Sequence, residues 1–283
     1  MDNQKRIAIL GVGLMGGSLA LQLKDRGLSK EIIGVDHSEI HQQKALELGL
    51  VDKIESLEEA IANTDVIILA IPVDSIVRIL PEVLNRISDQ IVIDLGSTKS
   101  LLVETVKDHE KRGRYVPTHP MWGTEYSGPT AALKGAFEDK AVVICDANDS
   151  DEDAISWTRF MFKSIGMHQI EMTSKDHDLH AAYVSHISHI TSFALANTVL
   201  EKEREDHAIF EMASGGFEST VRLAKSNPEM WIPILMQNKE NVLDVLNEHI
   251  SQLRKFKSCL EKENVDYLKE LMEGANRIKR ILK

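Results

Sequence analysis

The twelve residues Thr118–Pro129 (THPMWGTEYSGP) gather a histidine, two threonines' worth of hydroxyl chemistry and a carboxylate into one short stretch. His119 is the residue best suited to proton transfer, because imidazole alone has an unperturbed pKa near neutrality. Gly123 and Gly128 permit tight turns, while Pro120 and Pro129 keep the segment out of a regular helix. A stiff loop is therefore expected, able to hold a titratable side chain in place. A loop histidine is also commonly no more than a hydrogen-bonded structural residue, so the elements around it must decide.

Those elements begin at Lys5–Leu10 (KRIAIL), which reads as a buried strand running into Gly11-Val12-Gly13-Leu14-Met15-Gly16. The pattern G-x-G-x-x-G stands between a strand and an apolar helical stretch, Leu19 to Leu23. Gly11 suits the tight turn, Gly13 the approach of a pyrophosphate, and Gly16 the packing of helix on strand. With Leu14 and Met15 these glycines form the expected cofactor loop, whose free amides meet phosphate charge at a helix start. A second strand, Glu31–Val35, ends at Asp36, 20 residues beyond Gly16. A carboxylate there binds the adenosine ribose hydroxyls and repels a 2′-phosphate, which predicts NAD over NADP. His37 and Ser38 offer no arginine to reverse that preference.

The βα alternation continues through Val66–Ile71, closed by Pro72, a helical face at Ile76–Leu84, and Ile91–Leu95, which runs into Gly96-Ser97-Thr98-Lys99. Ligands of open α/β sheets lie beyond the carboxyl ends of the strands, so Ser97 is expected on the same rim as the glycine loop. Ser97 also suits an N-cap for a helix over Ser100–Glu110. A short strand near Tyr115–Val116 leads to the His119 loop. Lys140–Cys145 and Met167–Met172 read as strands around a helix over Asp151–Ile165, with Gly166 as its C-cap. An α/β Rossmann-like domain, 1–173, is expected to be followed by an all-α domain, 174–283.

In that second part, Asp176–Lys202 reads as a long helix, apolar around most of its circumference from Ala181 to Leu200, as in a buried or oligomeric element. His177 with His180, and His186 with His189, stand at i, i+3, but no cysteine or carboxylate set completes a metal site, so none is expected. His189 lies one turn from Ser185, Ser192 and Phe193; His186 is exchangeable with it, since helix rotation is open. A Gly215-Gly216 break leads to Arg222, whose planar fork grips carboxylates, or which pairs with Glu218 at i−4. Asn227-Pro228 reads as a helix start, with further helices over Ile232–Cys259 and Val265–Leu282.

The net charge of −11 argues against nucleic-acid or anionic-membrane partners. Two cysteines far apart suit a reducing compartment and give no metal spacing. MDNQKRIAIL has no apolar run ahead of its strand, and no apolar stretch reaches membrane-spanning length. A cytoplasmic protein is expected.

Taken in order, the glycine loop, GSTK, THPMWGTE, the SHISH helix, GGFESTVRLAKSNPEMW and QNKENV make the chain resemble prephenate dehydrogenases of aromatic amino-acid biosynthesis over nearly its whole length. The resemblance implies a Rossmann-like domain followed by a helical domain that forms a homodimer. It implies NAD-dependent oxidative decarboxylation of prephenate to 4-hydroxyphenylpyruvate, in tyrosine biosynthesis. In these terms His119 accepts the ring hydroxyl proton and Ser97 helps hold that hydroxyl. Arg222 binds a substrate carboxylate, His189 lines the pocket, and Thr124 and Glu125 support its wall. Relatives with a basic residue directly after Gly-Gly-Phe differ from this chain, which has Glu218 there. Relatives often close with a regulatory ACT domain that binds tyrosine; none is expected after Lys283, which leaves tyrosine binding at the active site as the route to feedback inhibition. Arogenate dehydrogenase remains an alternative, as do a β-hydroxyacid or imine-reducing dehydrogenase and a catalytically silent NAD-binding sensor.

Overall fold

The computed structural model describes residues 4–203 and 209–281, which fold as two compact units, 1–238 and 239–283. In chain order the first contains β1 (Lys5–Leu10), α1 (Leu14–Asp25), β2 (Ser29–Val35), α2 (Glu39–Glu47), β3 (Lys53–Ile54), α3 (Leu57–Asn63), β4 (Val66–Leu69) and α4 (Val73–Arg86). It continues with β5 (Ile91–Asp94), α5 (Ser100–Val106), β6 (Tyr115–Pro120), β7 (Ala141–Cys145), α6 (Glu152–Ser164) and β8 (His168–Met172). The helices α7 (Ser174–Ala181), α8 (Ile187–Glu203), α9 (Gly215–Val221) and α10 (Pro228–Gln237) complete it.

The strands form one sheet in the order β3-β2-β1-β4-β5-β6-β7-β8, parallel throughout except between β6 and β7. Alternation along each strand feeds two cores. Ile7, Ile9, Val66 and Ile68 pack under α1 and α6, whereas Ala8, Leu10, Ile67 and Leu69 pack under α3, α4 and α5. Strands buried on both faces explain the near-continuous apolar runs KRIAIL and VIILAI. Strand order reverses between β1 and β4, where a doubly wound sheet opens a crevice at its carboxyl edge.

Several elements differ from the sequence reading. The strand expected near Tyr115–Val116 runs on to Pro120, so His119 stands in a strand, opposite Val143 of β7. Pro120 ends the strand, where its missing N–H does least harm. The helix expected over Ser100–Glu110 stops at Val106. Asp176–Lys202 is helical, but a π-helical turn at Ala182–His186 interrupts it and rotates everything beyond. Such single turns recur at functional sites. Asn227 caps α10 through Glu229 N–H, as its position before Pro228 predicts. The helix expected over Ile232–Cys259 is broken at Asn238, whose side chain bonds back to the Asp178 carbonyl (2.6 Å).

In the second unit α11 (Lys239–Glu261) packs along α12 (Val265–Ala275), which passes into a 3₁₀ turn at Asn276–Arg280. The expected end at Leu282 lies outside the described residues. Among the described residues no helix is long and apolar enough to cross a membrane.

Candidate active site

At the carboxyl end of β1 the chain turns through Gly11 at φ +91°, a conformation in which a Cβ would sit 2.5 Å from the Ala70 carbonyl oxygen. At Gly16 a Cβ would meet the Gly11 carbonyl at 2.0 Å, so α1 packs on this turn only as glycine. Gly13 is different: its nearest neighbour would be the Gly128 backbone at 3.9 Å, leaving a slot beside the helix start. The first intrahelical bond runs from Gly17 N–H to the Gly13 carbonyl (2.8 Å), so the amides of Leu14, Met15 and Gly16 precede the helix ladder. Asp36, at the end of β2, is nearly buried and accepts bonds from Val12 N–H (3.1 Å) and Ser38 N–H (2.9 Å). The arrangement fits a dinucleotide, with pyrophosphate at the helix start and ribose at the acid. His37 and His41 flank Asp36 at 3.6 and 3.7 Å.

Two strands along the same edge, β5 ends in Asp94, which is fully buried and forms an ion pair with the equally buried Lys99. The Asp94 carboxylate also accepts from Tyr115 Oη (2.7 Å), Gly96 N–H (2.8 Å) and Thr118 N–H (3.2 Å). A buried charge set of this kind is tolerable only because each lone pair is used. It ties the GSTK turn to β6 and so locates His119, two elements of the site that are far apart in sequence.

His119 is 8% exposed. Its Nδ1 lies 2.8 Å from His177 Nε2, and His177 Nδ1 lies 2.8 Å from Asp178 Oδ1. The Asp178 carboxylate accepts Lys99 N–H (2.8 Å) and Ser100 N–H (2.9 Å) at the start of α5. Burial would raise the Asp178 pKa, but the hydrogen bond from His177 and those from the two amides outweigh it and hold the carboxyl below its ordinary value. Burial pushes the His119 pKa well below 6.5, helped by His177, Lys99 and His186. His119 is therefore a neutral imidazole at physiological pH.

Ser97 stands half-buried on this rim, but it does not cap α5; Asp178 takes that role across 79 residues of sequence. The expected Arg222–Glu218 pair is likewise absent. Arg222 Nη1 instead reaches Glu125 Oε2 at 3.2 Å, and Glu218 stands 4.0 Å from Lys225. Thr124 Oγ1 accepts from Tyr126 N–H (3.2 Å) and holds the turn that presents Glu125. Thr124, Glu125, Tyr126, Ser127, Thr130 and Leu133 are among the residues that line an open cleft of about 620 Å³.

The histidine pairs of the long helix do not converge. His180 is exposed while His177 is buried. His186 is fully buried, 3.2 Å from Asn238 Nδ2, with its pKa lowered by burial to about 4. His189 is half-buried, places Nδ1 3.0 Å from the Ser185 carbonyl and stacks on Trp231 at 3.4 Å between ring centroids. Burial depresses its pKa, and the Arg222 charge adds to that, so His189 and Arg222 share one environment. Among the described residues no group of three His, Cys, Asp or Glu side chains is placed to hold a metal. Sequence reasoning passed over Asp94, Lys99 and Asp178, and weighed His177 only as half of a metal-binding pair with His180. The signals were an acid ending the apolar run IVID, and a His-Asp pair opening the first helix after the last strand.

A doubly wound sheet, a glycine-lined helix start, an acid at the end of the second strand and a buried neutral histidine on the same rim define an NAD-dependent oxidoreductase. The chain belongs to the prephenate dehydrogenase family: residues 19–171 match the prephenate dehydrogenase nucleotide-binding domain, and residues 173–274 the dimerization domain. It is 32% identical over 272 residues to a prephenate dehydrogenase of Bacillus subtilis, covering 94% of this chain and 73% of that protein. It is 28% identical over 282 residues to a cyclohexadienyl dehydrogenase of Zymomonas mobilis, covering 99% and 96%. A crystal structure of prephenate dehydrogenase from A. aeolicus in complex with hydroxyphenyl propionate and NAD+ matches with a TM-score of 0.87 at 30% identity, covering 98% of this chain and 97% of that one.

Proposed function

We propose that this protein catalyses the NAD-dependent oxidative decarboxylation of prephenate to 4-hydroxyphenylpyruvate, carbon dioxide and NADH, in tyrosine biosynthesis. One observation carries the reading: a buried neutral histidine stands on the rim of a dinucleotide-binding sheet in a chain of this family. NAD, when bound, supplies the hydride acceptor. Gly11, Gly13, Leu14, Met15 and Gly16 hold its pyrophosphate and Asp36 its ribose, which disfavours the 2′-phosphate of NADP.

His119 takes the proton of the ring hydroxyl as hydride leaves the carbon bearing it. The electron pair of the bond to the departing ring carboxylate enters the ring, and the resulting phenolate recovers the proton from His119. Aromatisation supplies most of the driving force, so the protein has chiefly to align and to move one proton. Ser97 helps hold the hydroxyl. Arg222 grips a substrate carboxylate with His189 beside it, and Thr124 and Glu125 form the wall. Residues 1–173 act as the cofactor domain and residues 174–283 as the substrate and dimerisation domain. The exposed apolar side chains Tyr183, Val184, Leu200, Leu253 and Leu260 support a homodimer through these helices. The two widely spaced cysteines suit a cytoplasmic location.

The test is NADH formation from NAD by purified protein, with prephenate in one cuvette and arogenate in another. Turnover of prephenate bears out the proposal. Turnover of arogenate alone moves the specificity, and silence in both with NAD bound overturns the activity.

A further inference from the structure

The hydrogen bonds behind His119 have a direction. Asp178 is an ionised acceptor, with two backbone amides of α5 already donating to it, so the proton between it and His177 sits on His177 Nδ1. With Nδ1 donating to Asp178, His177 presents the lone pair of Nε2 to His119. That lone pair, 2.8 Å from His119 Nδ1, requires the Nδ1–H tautomer of His119. The remaining ring nitrogen, His119 Nε2, is left as the acceptor. A histidine carrying its proton on Nε2 would instead be a donor, unable to take a proton from a hydroxyl there.

We propose that His177 and Asp178 are positioning residues that hold His119 in its proton-accepting tautomer, with the amides of Lys99 and Ser100 as the fixed end of the chain. The proposal rests on the reading of His119 as the proton acceptor. The logic is that of a catalytic triad extended by one imidazole: the carboxylate sets the tautomer and stays ionised. The edge-on contact of the two rings, 5.0 Å between centroids and 70° between planes, brings nitrogen to nitrogen rather than stacking the faces. Burial of His177 and Asp178, 2% and 3% exposed, keeps water from supplying a competing donor. The same residues tie the start of α5 to α7, so the tautomer of His119, on β6, is set by contacts from two other elements.

The test pairs Asp178→Asn with ring-nitrogen NMR of the histidines in the full-length protein. Lys99 N–H and His177 Nδ1 share Asp178 Oδ1, while Ser100 N–H takes Oδ2, so asparagine can keep its oxygen on only one of the two amides. With the oxygen on Ser100 N–H, its NH2 gives up the Lys99 bond and donates to His177 Nδ1; each imidazole behind it then reverses, and His119 carries its proton on Nε2. The expected result is a loss of kcat on the order of 10²–10⁴-fold, with NAD affinity retained and the His119 signal changed from Nδ1–H to Nε2–H. Wild-type kcat with an unchanged tautomer overturns the proposal. A loss of kcat with His119 still Nδ1–H also overturns it, since the effect is then structural. If the variant does not fold, the wild-type spectrum decides alone: Nδ1–H on His119 supports the chain and Nε2–H refutes it. The tautomer is read without turnover, so failure of the prephenate reading and failure of this one are distinguishable.

Discussion

Arg222 Nη1 lies 3.2 Å from Glu125 Oε2, a pair that joins the turn after α9 to the stretch following β6. Arg222 is half-exposed, so the pair adds little to folding. Its own backbone N–H, then Arg222, hold the Glu125 carboxyl below its ordinary pKa, which keeps it charged and the guanidinium aimed. Arg222→Ala is expected to raise the KM for prephenate about 10–100-fold with a smaller change in kcat, because a charge-assisted contact to the substrate is lost. Steady-state kinetics decide. An unchanged KM would leave Arg222 as a partner of Glu125 alone.

His119→Asn removes the proposed proton acceptor and keeps the polarity of the site. The expected loss in kcat is about 10²–10⁴-fold, with NAD affinity unchanged by fluorescence titration. Turnover near that of the wild type would assign the proton to another group.

The pH dependence follows from the same burial. In its proposed role His119 must be neutral, and its pKa is depressed, so activity is expected to hold through neutrality and to fall only as pH drops through that lowered value. Stability moves with it. His119 and His186 are neutral in the fold but take up protons when unfolded near 6.5, so their contribution is present above 6.5 and is lost on acidification. For His186 the window runs from 6.5 down to about 4. The slope is about 1.4 kcal/mol per pH unit per group. Urea midpoints measured from pH 7 to pH 4 should fall steadily, and a flat profile would contradict the burial.

The glycines of the cofactor loop separate two effects. Gly16→Ala forces a methyl against the Gly11 carbonyl, so both stability and NAD binding should fail. Gly13→Ala meets nothing closer than 3.9 Å, so melting temperature should hold while NAD affinity drops about tenfold or more. Calorimetry on the two variants, run beside NAD titration, reads both. Normal NAD binding by Gly13→Ala would place the pyrophosphate elsewhere.

Lys99→Met leaves Asp94 buried without its cation, which is expected to cost about 3–5 kcal/mol. Adding Asp94→Asn to that variant should recover part of the loss, since no bare charge then remains. Urea unfolding of the single and double variants measures the difference, and an undisturbed single variant would deny the pair its role in locating His119.

Local pattern was enough for the cofactor half of the molecule. The strand, the glycine loop and Asp36 lie within 32 residues, Lys5 to Asp36, and their chemistry depends on backbone conformation and strand polarity, both written in short-range spacing. His119 and Arg222 stood out for similar reasons, as one titratable ring and one planar cation in segments rich in turn residues. Their partners did not. Asp178 caps α5 from 79 residues away, Lys99 finds Asp94 by folding back into the core, and Arg222 pairs with Glu125 rather than the nearer Glu218. Ser97 looked like the cap because sequence shows only neighbours. Burial then did what no pattern reveals: it made His119 a neutral imidazole and made hydrogen-bond direction a property of the whole cluster. Which residues can do chemistry was legible along the chain; their protonation and tautomer were decided by what tertiary packing excluded from water.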